Sequence, residues 1–511
     1  MAGADPDLVA VLGAIAASAG ALARTTHARR VRVPGLGLLL AGWLALAWSV
    51  LPGPITDRPA LAIGGLAAAT GIGWLAAGAV RGRERWLLAL GAAVLTVRIP
   101  VPTGEGDAML LLPLYAVVGL GGLALLRTEL AQVRRGERSE PDRGGATRLL
   151  DVGTATLPAL ATISLTWSWA PTATTELLAF YLVPFVLAYA LVRAWLAAGV
   201  DVRPASIALV GSTVAFAVVG LVQAATHQVW WNPKVVDANR FRPDFRTNSL
   251  FWDPNMYGRA LVIAALAVVA WLLVARLDRR RIAGAVVVLA ILVAALWHTF
   301  SQSSWVALAA GLLLLGILTL PPRPRRWVAA LVALVVLVGG PFAAGQLEGD
   351  DTDGRAAVVR TGVSLAAERP IAGWGAGTFE VAARARELEK GDREPALVAS
   401  HTTPVTVFAE LGVLGAIAYL TLLTSAAVTV LARWRQTSSP ASAARRAGSD
   451  PAATGWPIAP IGWASAALAA LFAHSLLYAG FFEDPTTWVV LAVLASLPVT
   501  AIDAATPTPA D

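Results

Sequence analysis

The chain has 511 residues, 57% of them hydrophobic and 14% charged, with a formal net charge of +7. A soluble protein carries roughly 25% charged residues, so an ordinary soluble enzyme is excluded. The basic residues lie in short connections rather than on one face, which excludes a nucleic-acid binder, and the absence of cysteine removes disulfides and thiolate metal sites.

Apolar runs recur at about 17–22 residues, the length at which a helix crosses a hydrocarbon core. They are continuous rather than alternating, so they predict helices and not a barrel. Expected spans lie at approximately 7–24, 34–52, 60–79, 86–98, 108–126, 150–168, 174–195, 206–224, 255–275, 282–299, 304–320, 327–343, 402–431, 457–478 and 486–502. The fold class is all-α: a polytopic membrane bundle of about 14–15 transmembrane helices, the fourth the shortest. The first run lacks a basic leader and follows Asp5 and Asp7, so it reads as a span rather than a cleavable signal.

Most of the 40 basic residues fall in alternate connections, such as Arg24–Arg32, Arg127–Arg148, Arg276–Arg281 and Arg433–Arg446. The positive-inside rule then puts the N-terminus outside, the C-terminus in the cytoplasm and two long loops, about 225–254 and 344–401, on the outer side. The expected organisation is 1–150, N-terminal spans without an assigned role; 151–343, a core bundle; 344–401, an outer loop; 402–502, C-terminal spans; and 503–511, a disordered tail. The polar stretches 131–147 and 436–454 read as flexible cytoplasmic linkers.

The outer loops concentrate the residues suited to chemistry. The first holds Arg240, Arg242 and Arg246 before the turn Asp253-Pro254-Asn255, and Arg259 lies one turn inside the span that follows. Trp230, Trp231, Arg240 and Arg242 also suit a plain interfacial belt. A buried Arg259 must face a partner or a polar cavity. The second loop holds Arg355 and Arg360 on a helix closing at Pro370 and the Gly373-Trp374-Gly375-Ala376-Gly377 turn. Five residues apart, the two arginines project about 140° from one another and do not form one clamp on a regular helix. Arginine suits pyrophosphate because its planar fork donates two hydrogen bonds and stays charged. Asp350, Asp351 and Asp353 lack the later ligands of a calcium loop and read as charge complements to that helix; no metal site is expected. His401 marks the loop exit and has a pKa suited to general base work. His298 and His474 read as packed polar residues or minor members of the cavity. Glu410, nine residues on, lies on the other side of the helix from His401 and must be satisfied by a neighbouring span.

Three segments together resemble the O-antigen ligase/polymerase superfamily, membrane glycosyltransferases of bacterial surface glycan assembly. They are Arg246 through Phe251-Trp252-Asp253-Pro254-Asn255; Arg355 and Arg360 through Pro370 to Gly373, Gly375 and Gly377; and His401 followed by Glu410-Leu411-Gly412. The resemblance spans about 205–500. One departure is Gln302, which stands where the family usually has arginine, so a cationic contact is absent or supplied by Arg240, Arg242 or Arg259.

The resemblance implies a GT-C-like, multi-pass protein of the bacterial cytoplasmic membrane. Its partners would be a polyprenyl-pyrophosphate-linked glycan donor, a glycan or lipid acceptor, and membrane lipid. It further implies an inverting transfer in which His401 is the base and Arg246, Arg355 and Arg360 hold the pyrophosphate, with Arg240, Arg242, Arg259, Gln302 and Glu410 as accessory residues and without cofactor or metal. A Wzy-type polymerase of the same superfamily would use nearly the same chemistry. A transporter or lipid-glycan flippase would need paired acids or broken helices at mid-membrane, whereas the charges here crowd the outer boundary.

Overall fold

A computed structural model of the chain describes residues 7–26, 28–50, 59–103, 106–137, 145–230, 232–241, 243–274, 277–320, 351–389, 400, 402–437 and 458–496. The elements are α1 (Leu8–Arg24), α2 (Arg29–Ser49), α3 (Pro59–Val80), α4 (Glu84–Val94), β1 (Ile99–Thr103), β2 (Gly106–Leu110), α5 (Leu112–Arg134), α6 (Gly145–Ile163), α7 (Pro171–Leu177), α8 (Val183–Ala197), α9 (Arg203–Thr226), α10 (Pro233–Arg240), α11 (Pro254–Val274), α12 (Arg279–Trp297), α13 (Gln302–Thr319), α14 (Asp351–Glu368), α15 (Phe379–Glu389), α16 (Thr403–Thr437), α17 (Ile458–Ser475) and α18 (Pro485–Ser496). A π-helical segment, Leu178–Leu182, joins α7 to α8. Among the described residues, 10 helices are long and apolar enough to cross a membrane, and α1, α17 and α18 are shorter apolar helices.

The all-α polytopic architecture is thus as the sequence predicts. The expected span 327–343 and the linker 436–454, apart from its first two residues, lie outside the described residues. The region expected as spans 86–98 and 108–126 differs. Helix α4 ends at Val94, and a β-hairpin intervenes, pairing Ile99 with Leu110 and Val101 with Ala108. Pro100 and Pro102 explain the break, since neither has an N–H to continue a helix and their fixed φ suits an edge strand.

Small residues let helices approach closely. A Cβ at Gly20 would come within 2.6 Å of the Gly35 carbonyl oxygen, and one at Gly42 within 2.6 Å of the Gly13 oxygen, so α1 and α2 pack backbone to backbone. The core continues through α6, α8, α11, α17 and α18 around Leu150, Phe185, Leu261, Leu471 and the fully buried Trp488.

The bundle has two chemically distinct ends. At the basic end, the buried Glu129 of α5 accepts from Arg24 at 2.7 Å and lies 3.7 Å from Arg32. Nearby Arg193 grips Asp151 through Nε and Nη2 at 3.0 and 3.1 Å, and Arg433 donates to Thr147. The opposite end, here the loop end, holds the hairpin, α10, α14, α15 and the connection between α17 and α18. Removing Glu129 strands two arginines in a low-dielectric site. Glu129→Ala is expected to cost about 3–5 kcal/mol of stability, read as a lower unfolding midpoint of the solubilised protein; an unchanged midpoint would show the pairing to be dispensable.

Candidate functional site at the loop end

The site is built around a broken helix. At Gly412 the φ of +61° and ψ of −155° interrupt α16, which leaves carbonyls before the break and N–H groups after it without helical partners. The Pro370–Gly377 segment, which contains the glycine turn, supplies them. Trp374 and Gly375 donate to the carbonyls of Ala409 (3.1 Å) and Glu410 (2.8 Å), while Val413 and Leu414 donate to those of Pro370 (2.8 Å) and Ile371 (3.3 Å). Any side chain at Gly412 would collide with the Ile371 backbone, and one at Gly373, itself at φ +68°, with that of Glu410.

The turn is fixed on its other face by α7 and by the connection that leads to it from α6. Trp167 Nε1 donates to Ala372 O (3.1 Å), Trp169 N to Trp374 O (2.9 Å), Thr174 Oγ1 to Ala376 O (2.6 Å), and Ala376 N to Ser164 Oγ (2.9 Å). Glu410 Oε1 accepts from Phe379 N at 3.1 Å, and its carboxylate also receives the Gly377 N–H. It therefore caps the N-terminus of α15 by accepting its first N–H groups. This corrects the expectation that a neighbouring span satisfies Glu410: the loop itself does.

The loop between α9 and α11 is tied down as firmly. Thr247, Asn248 and Ser249 are fully buried. Gln223 of α9 donates to Ser249 O (2.9 Å) and accepts from Ser249 N (2.8 Å), and Thr247 N donates to His298 O (2.9 Å). Arg246 is half-buried; its Nε donates to Thr299 O at 3.0 Å, which binds it to the turn ahead of α13. Gln302, half-buried, begins that helix. His474, fully buried, meets Ser303 Oγ at 3.1 Å through Nε2, a packed polar residue as expected.

The other candidates separate. Arg259 is buried and pairs with Asp484 at 2.7 Å, with Nη1 on the Gly480 carbonyl at 3.2 Å; this meets the demand that a cation inside the span find a partner. Arg240 is exposed and pairs with Asp237 one turn away. Arg360 is exposed on α14, an unbroken helix, so the angular separation from Arg355 stands. For Arg355 only the backbone is described. His401 and Arg242 lie outside the described residues, but Ser400, Thr402 and Thr403 beside His401 are placed.

A small cavity of about 40 Å³ sits beneath this rim, lined by Thr403, Thr406, Glu410, Tyr181, Gly480 and Glu483 among others. It has room for about one water. Glu483 is a residue the sequence reading overlooked, although an acidic pair between two short apolar runs is a visible signal. Burial pushes its carboxyl above the usual range; Glu380 adds to this and Arg259 opposes it. On the same connection the Tyr478 hydroxyl bonds to Asp253, and burial followed by that carboxylate raises its pKa. Asp253, Arg259, Tyr478, Glu483 and Asp484 thus form one polar seam joining α11 to the α17–α18 connection. Among the described residues no cluster of three or more His, Asp or Glu side chains suits a metal ion.

Residues 287–420 match the family model described as O-antigen ligase. That stretch covers the second half of α12, all of α13, the long loop 344–401 and the beginning of α16, including the glycine turn and its break; it bears out the resemblance read from the sequence. Comparison with curated proteins gives no match.

Gly412→Ala is expected to cost about 3 kcal/mol or more, from backbone strain plus the collision with Ile371. The unfolding midpoint of the solubilised protein should fall markedly; a wild-type midpoint would mean that the break tolerates a side chain.

Proposed function

We propose that this chain, a member of the O-antigen ligase superfamily, transfers a glycan en bloc from a polyprenyl-pyrophosphate carrier to an acceptor hydroxyl at the loop end. As a multi-pass bacterial membrane protein with its basic end in the cytoplasm, it would present the loop end outside, with the N-terminus outside and the C-terminus inside. The observation that carries the reading is the docking of the family-matched glycine turn onto the broken α16.

The chemistry requires a proton acceptor and a stabilised leaving group. His401 takes the proton from the acceptor hydroxyl as its oxygen bonds to the anomeric carbon. The carbon–oxygen bond to pyrophosphate breaks, and the electron pair leaves with the polyprenyl pyrophosphate. Attack opposite the leaving group inverts the anomeric centre. Arg246 and Arg355, with Arg360 assisting, hold the developing charge; a fixed guanidinium fork in a water-poor site does this without a metal. The rigid support of Arg246 on Thr299 favours such a role, because preorganised donors need no reorganisation during the reaction. Asp484 engages Arg259, which suits Arg259 to holding the rim together rather than to contacting substrate.

The decisive assay uses purified protein, a polyprenyl-pyrophosphate oligosaccharide and candidate acceptors. His401→Ala should bind the donor yet lose at least about 100-fold in transfer, the scale of a missing general base. Arg355→Lys should also be severely impaired, because an ammonium cannot reproduce the fork. Undiminished transfer by His401→Ala removes the base assignment. Growing lipid-linked chains, in place of a capped second acceptor, would identify the polymerase reaction.

A further inference from the structure

The N-terminal third contributes a cation to this rim. Arg98 lies between the end of α4 and the hairpin, half-buried. Its Nη1 donates to Met109 O at 3.3 Å, across the hairpin base, and its guanidinium stands 5.8 Å from the centre of the Tyr181 ring. Tyr181 in turn lines the cavity shared by Thr403, Glu410, Gly480 and Glu483. Arg98 also lies within electrostatic reach of Tyr478, on which it and Arg259 act in the same sense.

The rim cations differ in what balances them. Arg259 has Asp484, Arg240 has Asp237, Arg386 has Glu368, and Arg369 is stacked 4.1 Å over Trp374. Arg98 has no carboxylate partner among the described residues. Partly desolvated charge is costly without a counter-ion, and a carbonyl plus an aromatic face offset only part of that cost. The support is rigid, because Pro100 and Pro102 fix the strand that follows and the Ile99–Leu110 pair closes the hairpin base.

We propose that Arg98 binds a phosphate of the lipid-linked donor, so that the N-terminal third contributes a contact to the pyrophosphate site. This rests on the transfer reading above. Of guanidinium's five donors, one is directed at Met109, which leaves the fork able to grip a phosphate oxygen pair. The anion is taken to be the donor's pyrophosphate rather than the headgroup of a bulk phospholipid, because Tyr181 connects Arg98 to the site's own cavity.

The test titrates glycan-free polyprenyl pyrophosphate into the full chain, held in nanodiscs of phosphatidylcholine alone, alongside a transfer assay. Arg98→Gln should weaken binding about tenfold or more, the effect of losing one charge-assisted contact. Arg98→Lys should recover part of it, with unfolding midpoints unchanged in both variants. Equal affinity in wild type and Arg98→Gln overturns the proposal, as does a loss that tracks a lower midpoint. A difference seen only after phosphatidylglycerol is added also overturns it, by showing a headgroup anchor. Wild-type binding without transfer would sink the transfer reading while leaving Arg98's role standing; failure of the wild type to bind overturns the proposal as well.

Discussion

The loop end depends on one exchange of backbone hydrogen bonds. A helix broken at Gly412 exposes polar groups that neither lipid nor packed side chains can satisfy, and the Pro370–Gly377 segment satisfies them with the N–H groups of Trp374 and Gly375 and the carbonyls of Pro370 and Ile371. Each partner needs the other: the turn has no regular structure of its own, and the break would be untenable without it. Two glycines in the left-handed region, Gly373 and Gly412, permit the approach, since a side chain at either would strike the opposite backbone. Glu410 extends the same latch to α15 by capping its first turn.

Around that latch the protein separates fixed charges from those able to act. Arg259 pairs with Asp484, and the Tyr478 hydroxyl bonds to Asp253, so the α17–α18 connection is tied to α11 at two points. Charges at the opposite end follow the same logic, with Glu129 and Asp151 each engaged by arginine. Pairing holds the frame, and under the proposed transfer reaction a cation without an acid partner, such as Arg98, would meet the anionic donor. This division explains why a mostly apolar chain keeps so many arginines at its boundaries.

Much of this was legible in the sequence, and the exceptions have physical causes. Hydropathy located the spans because lipid imposes length and composition on a helix. It overran at residues 95–98 and 108–111, on either side of a hairpin whose first strand carries Pro100 and Pro102. The glycine turn and the Glu410-Leu411-Gly412 segment were recognisable, but their mutual docking was not, because backbone pairing between residues about 40 positions apart leaves no side-chain pattern. Arg259 announced its need for a partner; Asp484, over 200 residues away, could not be named from periodicity. Of the chemical candidates, Arg246 proved anchored and Arg360 exposed, and neither fact follows from residue type.

The most direct measurement of the latch is hydrogen exchange at individual amides of the lipid-embedded protein. If the turn and the break form one unit, the amides of Trp374, Gly375, Val413 and Leu414 will be strongly protected and will open together, with the same apparent free energy. Rapid exchange at Trp374 and Gly375, while Val413 and Leu414 stay protected, would contradict the account.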